Sequence, residues 1–244
     1  MTFTTIDSAL KATLPTQEEP LAVVLAGHNG SGKSTLWYSH VADQLRIPLI
    51  NADRMMLSVL PEATNNRLSQ WAQHLRDQDE QWLKVAQNGV SAFVAHAAGM
   101  KVGFAYETVF SHWKVKTDGA IESRIDLIKR LQDAGYFVLL MFVGLTNASL
   151  SIGRVQTRTA GGGHAVEEKK LIQRFPRTQI AIQAALEVAD ATILFDNSRS
   201  RQLAFTPVQI RNQGKILFDI RRILHQKSSA ITAWLDIVAP ITSR

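Results

Sequence analysis

The sequence contains no cysteine, which removes disulfides, thiolate metal sites and cysteine nucleophiles from consideration. Its 7 histidines are scattered with no metal-ligand spacing. Long hydrophobic runs are missing as well. The longest, Tyr136 to Leu145, is about half of what a bilayer span needs. Met1 to Asp7 shows neither the basic n-region nor the apolar h-region of a secretory signal. The expectation is a cytoplasmic protein with no membrane partner. Aromatics make up only 7% of the chain, and Trp71, Leu75, Trp82 and Val85 recur at roughly helical spacing, as packing residues do. No internal repeat and no low-complexity tract is present.

What is there suits one globular α/β unit. The chain has 244 residues, 45% of them apolar and 20% charged, enough for a full core and too apolar for disorder. The net charge of +6 invites a nucleic-acid partner, but its placement argues otherwise. Residues 1–198 hold 19 basic and 19 acidic groups; residues 199–244 hold 8 and 2, which is the whole excess. The body is not a basic surface, so nucleic acid is not expected as a partner.

Leu21 to Ala26 is a continuous apolar run of the kind a strand buried on both faces shows, and similar runs follow at 47–50, 102–106, 136–143 and 191–195. Helical patterns lie between them near 33–45, 65–98, 118–134 and 147–159. This alternation predicts a parallel sheet flanked by helices. Residues 1–20 read as an extension with one short amphipathic helix from Ile6 to Leu14, and 21–200 as the main domain. Residues 201–244 read as a basic extension of that domain. It is built of short β pieces (203–205, 208–211 and 215–218) and a closing helix over about 219–237.

Gly27-His28-Asn29-Gly30-Ser31-Gly32-Lys33-Ser34 matches G-x-x-x-x-G-K-[ST] between a predicted strand and a predicted helix. Glycines let successive backbone N–H groups curl around a polyphosphate, and the helix N-terminus adds its positive dipole end. Lys33 would reach the β- and γ-phosphates of ATP, and the Ser34 hydroxyl would ligate Mg²⁺. Asp53 closes the second apolar run, on the edge of the sheet where ligands sit. It suits either a base that takes a proton from an acceptor hydroxyl or a helix N-cap. Glu107 and Thr108 close the third run and suit either substrate binding or a solvated loop. The run 136–145 carries no acidic residue, so a Walker B aspartate is absent there, which argues against mechanical and transport ATPases. Arg154 and Arg158 share one helix face, Gly161-Gly162-Gly163-His164 follows, and Arg174 and Arg177 come next. A glycine-hinged segment loaded with arginines suits a lid over phosphates; a solvated helix pair is the alternative.

The series Ala26 to Thr35, Asn51-Ala52-Asp53, Glu107-Thr108, Arg154 to His164 and Phe195-Asp196-Asn197-Ser198 resembles the zeta-toxin family of P-loop kinases. The likeness is greatest to the branch called predicted ABC-type ATPases, and it covers roughly 21–200. The phosphate loop is generic; the Gly-Gly-His lid run is more specific. The resemblance implies a kinase-like P-loop NTPase fold, ATP and Mg²⁺ as cofactors, a small-molecule hydroxyl acceptor and a protein antitoxin as partner. In the zeta toxins the acceptor is UDP-N-acetylglucosamine. By that likeness residues Gly27 to Thr35 and Arg154 bind nucleotide, with Ser34 on the metal. Asp53 is the base, Glu107 and Thr108 face the acceptor, and Lys33, Arg158 and Arg174 clamp phosphates. Departures from the branch are Val166-Glu167 where Val-Pro is usual, Arg174-Phe175-Pro176-Arg177-Thr178 for Arg-Tyr-x-Arg-Ser, and the residues that follow Thr108. They leave the acceptor open. No Leu-Ser-Gly-Gly-Gln signature exists, so an ABC transporter is not implied. Two other readings remain, a nucleotide-dependent switch with little chemistry and a polynucleotide kinase.

Overall fold

The computed structural model describes every residue except 1, 2, 4, 17, 65–67, 224–227 and 242–244. In chain order the elements begin with α1 (Ile6–Thr13), β1 (Leu21–Gly27), α2 (Lys33–Leu36), a π-helical turn (Trp37–Val41) and α3 (Ala42–Leu45). Then come β2 (Leu49–Ile50), α4 (Ala52–Ser58), α5 (Gln70–Asp77), α6 (Glu80–Met100), β3 (Phe104–Thr108), β4 (Trp113–Val115), β5 (Ile121–Ser123) and α7 (Ile125–Asp133). The chain continues with β6 (Phe137–Gly144), α8 (Ala148–Ala160), α9 (Glu168–Ala185), β7 (Ala191–Asp196), β8 (Thr206–Asn212), β9 (Lys215–Asp219) and α10 (Ser229–Val238).

Seven strands form the main sheet in the order β2-β3-β1-β6-β7-β8-β9. The first five are parallel, and β8 and β9 add antiparallel to one edge. All eight residues of β6 are buried, and the strand alternates between two cores. Val138, Leu140 and Phe142 face α6, α7, α9 and α10; Leu139, Met141 and Val143 face α1 and α2. Burial on both faces is the reason these runs read as continuously apolar. The N-terminal helix belongs to this core, because Ala9 and Leu10 are buried under the sheet and Thr5 and Ser8 form a capping box that starts it.

Sequence and structure part in several places; α4 and α9 lie outside the expected helical stretches, and Trp71 and Val85, expected to pack, are exposed. The helix expected over 65–98 is two, α5 and α6, divided where the Asp79 side chain accepts from Trp82 N and caps α6; residues 65–67 lie outside the described residues. The helix expected over 118–134 is only α7, because a β4–β5 hairpin takes the first half. Its turn is set by Gly119 at φ 79° and by Ala120 N donating to Asp118 Oδ1 at 2.9 Å. The β piece expected at 203–205 is instead the end of a 3₁₀ turn (Arg201–Leu203) followed by Phe205 at φ 53°. The closing helix is interrupted: a 3₁₀ turn (Ile220–Arg222) precedes α10, and 224–227 lie outside the described residues.

Three of the tail's arginines are ion-paired. Arg199 pairs with Asp196 at 2.8 Å, Arg211 with Glu187 at 2.7 Å, and Arg221 with both Asp219 (2.6 Å) and Asp236 (2.7 Å). Among the described residues no helix is long and apolar enough to cross a membrane.

Candidate active site

Parallel pairing brings the carboxyl ends of β2, β3, β1, β6 and β7 to one edge of the sheet, in a register that aligns Ala26 with Thr108, Gly27 with Val143, and Gly144 with Asp196. Ligands of open α/β sheets bind beyond this edge. The loop from Gly27 leaves it and ends at α2, whose first residue is Lys33. Two glycines here are obligatory. A Cβ on Gly27 would lie 2.5 Å from Val143 O, and Gly32 adopts φ 91° with Asn197 Nδ2 and Phe205 against it. Asn197 Nδ2 also donates to Ser31 O at 2.8 Å, and Ser151 Oγ donates to Asn29 O at 2.7 Å, so α8 and the end of β7 brace the loop from both sides.

Lys33 is buried, and its Nζ donates to Gly27 O (3.2 Å) and His28 O (3.1 Å), which holds the ammonium inside the loop. Burial pushes its pKa below the usual lysine value; the nearby Glu107 and Asp53 carboxylates act against that, and Arg158 adds to it. The buried Ser31 Oγ has no hydrogen-bond partner among the described residues, a polar atom that an anion in the loop would satisfy. Ser34 Oγ donates to Glu107, 3.0 and 3.1 Å from its two carboxylate oxygens, and Asn51 Nδ2 donates to Glu107 Oε2 at 2.7 Å. Glu107, expected to face an acceptor, contacts Asn51 and the serine expected to ligate the metal. A hydroxyl and a carboxylate held together are hard oxygen donors, the chemistry Mg²⁺ takes. Thr108 Oγ1 accepts from Phe110 N at 3.2 Å and shapes the turn after β3, where Phe110 sits at φ 61°.

The alternative role for Asp53 is taken by another residue. Asn51 caps α4, its Oδ1 accepting from Asp53 N (2.8 Å) and Arg54 N (3.3 Å). The Asp53 carboxylate has no hydrogen bond or ion pair among the described residues, and its charge acts on both Lys33 and Arg174. Burial, and then Arg177, lower the Arg174 pKa, with Asp53 opposing. Arg154 lies beside the loop, its Cβ 3.1 Å from where a Cβ on Gly30 would stand. Arg158 Nη2 donates to His164 O at 2.8 Å. The structure thus brings together Lys33, Ser34, Asp53, Glu107, Arg158 and Arg174; Thr35 makes no side-chain bond among the described residues.

Two features escaped the sequence reading. His28 is buried and stacks on Phe175 of α9, with centroids 4.0 Å apart and an interplanar angle of 12°. Its Nδ1 accepts from Leu145 N at 3.3 Å, so Nε2 carries the proton, aimed at α9 without a well-formed bond. Burial, and then the Lys33 charge, lower its pKa to about 3, with the Phe175 carbonyl acting in the opposite sense. The second feature is Asn51, whose two side-chain ends join the start of α4 to Glu107. Its Asx-cap spacing ahead of a helix was the available signal.

The zeta toxin family model matches residues 6–204. An uncharacterized protein of Haemophilus influenzae is 25% identical over 154 residues, 63% of this chain and 91% of its own. A solved structure from the PezAT toxin–antitoxin system of Streptococcus pneumoniae superposes with a TM-score of 0.53 at 13% identity, covering 98% of this chain and 85% of its own. The AvrRxo1-ORF1:-ORF2 complex with ATP gives 0.60 at 14% identity, covering 96% and 67%. These likenesses in structure carry the fold; the family match carries the class. The chain belongs to the zeta toxin family and is an enzyme of the P-loop kinase type.

Proposed function

We propose that the protein is an ATP-dependent phosphotransferase that moves the γ-phosphoryl group to a hydroxyl of a small molecule, with a nucleotide sugar such as UDP-N-acetylglucosamine as the first acceptor to test. The observation that carries this reading is the Asp53 carboxylate: it is spared from capping, has no partner among the described residues, and lies within the field of both Lys33 and Arg174. A protein that only binds nucleotide has no use for it.

In this reading the loop N–H groups and Lys33 hold the β- and γ-phosphates, and residues Gly27 to Thr35 with Arg154 form the nucleotide site. Ser34 would hold Mg²⁺, with Glu107 beside it; the bound ion neutralises phosphate charge. Asp53 accepts the proton of the acceptor hydroxyl as its oxygen bonds to the γ-phosphorus and the bond to the ADP oxygen breaks. Arg158 and Arg174 stabilise the charge that spreads over the transferring group. Thr108, at the end of β3, borders the acceptor side. An antitoxin that blocks this edge is the partner the family suggests. The test is transfer of label from γ-labelled ATP to a panel of nucleotide sugars and other hydroxyl acceptors. Asp53→Asn is expected to slow transfer by about 10²-fold or more with ATP affinity changed only a few-fold. Label leaving ATP solely as inorganic phosphate, or an unaffected Asp53→Asn rate, would overturn the proposal.

A further inference from the structure

Beyond the phosphate loop, a dense polar cluster joins the end of α5 to the glycine run between α8 and α9. Arg76 is buried although it carries a full charge. Its Nε and Nη2 donate to the two carboxylate oxygens of the adjacent Asp77, both at 2.8 Å. Its remaining donors reach 86 and 87 residues along the chain, Nη1 to Gly162 O at 2.8 Å and Nη2 to Gly163 O at 3.3 Å. Asp77 Oδ1 in turn bonds His164 Nδ1 at 2.8 Å and accepts from Ala165 N at 3.4 Å. One dipeptide therefore grips four consecutive residues of the lid, 162 to 165.

The same loop is the anchor for a lid arginine. Arg158 Nη2 donates to His164 O, and Gly163 packs so close that a Cβ there would meet the Arg158 side chain at 2.6 Å. Without the grip, Gly162 (φ 88°) and its glycine neighbours have the freedom of an unconstrained linker, and His164 O would no longer be fixed. The carbonyls of Gly162 and Gly163 lie past the end of α8, where no helical donor reaches them; Arg76 satisfies them. Burial tends to raise the Asp77 pKa, but the bonds from Arg76 and His164 outweigh it and hold the carboxyl below its usual value, as a paired carboxylate requires. α5 lies in the same inter-strand segment as α4, which carries Asp53, so the cluster ties the helices on the acceptor side to the lid over the nucleotide.

We infer that Arg76 and Asp77 are positioning residues: they latch the glycine lid closed and thereby set Arg158 for phosphoryl transfer. This rests on the kinase reading of the site. The latch holds the lid by two charge-assisted grips, one on carbonyls and one on His164 and the Ala165 N–H. Lysine cannot serve in place of Arg76, because a single ammonium cannot bond Asp77 twice and two carbonyls at once.

The test compares full-length wild type with Arg76→Ala, Arg76→Lys and Asp77→Asn. Hydrogen exchange of peptides spanning 158–166, without nucleotide, reads the latch directly. Exchange at Ala165 is expected to accelerate at least about 10-fold in Arg76→Ala and Arg76→Lys, with β6 peptides unchanged. Turnover with ATP, Mg²⁺ and the acceptor panel reads positioning. There kcat should fall about 10- to 100-fold while KM for ATP moves less than about 3-fold. Unchanged exchange at 162–165, a rise in KM without loss of kcat, or acceleration spread evenly over the whole chain would each overturn the latch. A wild type that consumes no ATP would sink the kinase reading and the positioning role with it. A wild type that transfers phosphoryl alongside an equally active Arg76→Ala would sink the latch alone.

Discussion

Acidification from pH 7 to pH 5 probes how tightly His28 is enclosed. The imidazole is buried between Phe142 and Phe175, beside the Lys33 charge, and its pKa falls from 6.5 to about 3. The folded pKa is the lower one, so between these values the unfolded chain binds a proton that the native protein refuses. The stability held at neutral pH is therefore present above 6.5 and is lost as pH falls toward 3. One proton corresponds to about 1.4 kcal/mol per pH unit, so between pH 7 and pH 5 this ring alone removes about 2 kcal/mol. The carboxylates with depressed values titrate lower: Asp77 and Asp219 lose their contribution only as pH falls below 3.8, and Glu122 only below 4.5, outside this window. The assay is urea unfolding of wild type and His28→Gln at half-unit steps from pH 7.5 to 4.5. Whatever the variant's baseline stability, its curve should lack the slope of about one proton. If it folds too poorly to measure, NMR of the wild-type ring gives the same answer, as a neutral Nε2–H tautomer that does not titrate above pH 4.5. Parallel slopes in the two proteins, or a ring that titrates near 6.5, would refute the account of a desolvated histidine beneath the lid helix.

Other perturbations have sharp expectations. Gly27→Ala forces a methyl against Val143 O and should cost about 1 to 3 kcal/mol in denaturant unfolding and abolish ATP binding measured by calorimetry. Arg221→Ala leaves Asp219 buried without its partner and should cost about 3 kcal/mol, whereas Asp236→Ala, an exposed partner of the same arginine, should cost less than about 1 kcal/mol by the same assay. Trp234→Ala opens a cavity against Phe142 and Gly144 and should cost about 3 to 5 kcal/mol in denaturant unfolding. Glu107→Gln should weaken the Mg²⁺ dependence of nucleotide binding by calorimetry more than it weakens binding of ATP alone.

Some of this was written in the chain and some was not. The phosphate loop was legible because its chemistry is local: eight consecutive residues between a strand and a helix carry the whole requirement. The parallel sheet was legible because strands buried on both faces leave no polar residue to break the run. The role of Asp53 was not decidable, because a base and a cap occupy the same strand end. The fold gives the cap to Asn51 and leaves the base as the proposed role. Glu107 was correctly put on the ligand edge, but its contact with Ser34 lies 73 residues away in sequence and leaves no periodicity behind. The hairpin at 113–123 misled because one short turn overrode a pattern that otherwise fits a helix.

The sequence alone determined the class of chemistry, since backbone curvature around a phosphate depends on which residues follow one another. It could not determine how the lid is held or which carboxylate is free. Those depend on contacts between segments far apart in the chain, such as Arg76 on Gly162 and Asn51 on Glu107, that exist only once the sheet has set its strand order. The same division holds for the net charge of +6: the sum is fixed by composition, but only the fold pairs Arg199, Arg211 and Arg221 with neighbouring carboxylates.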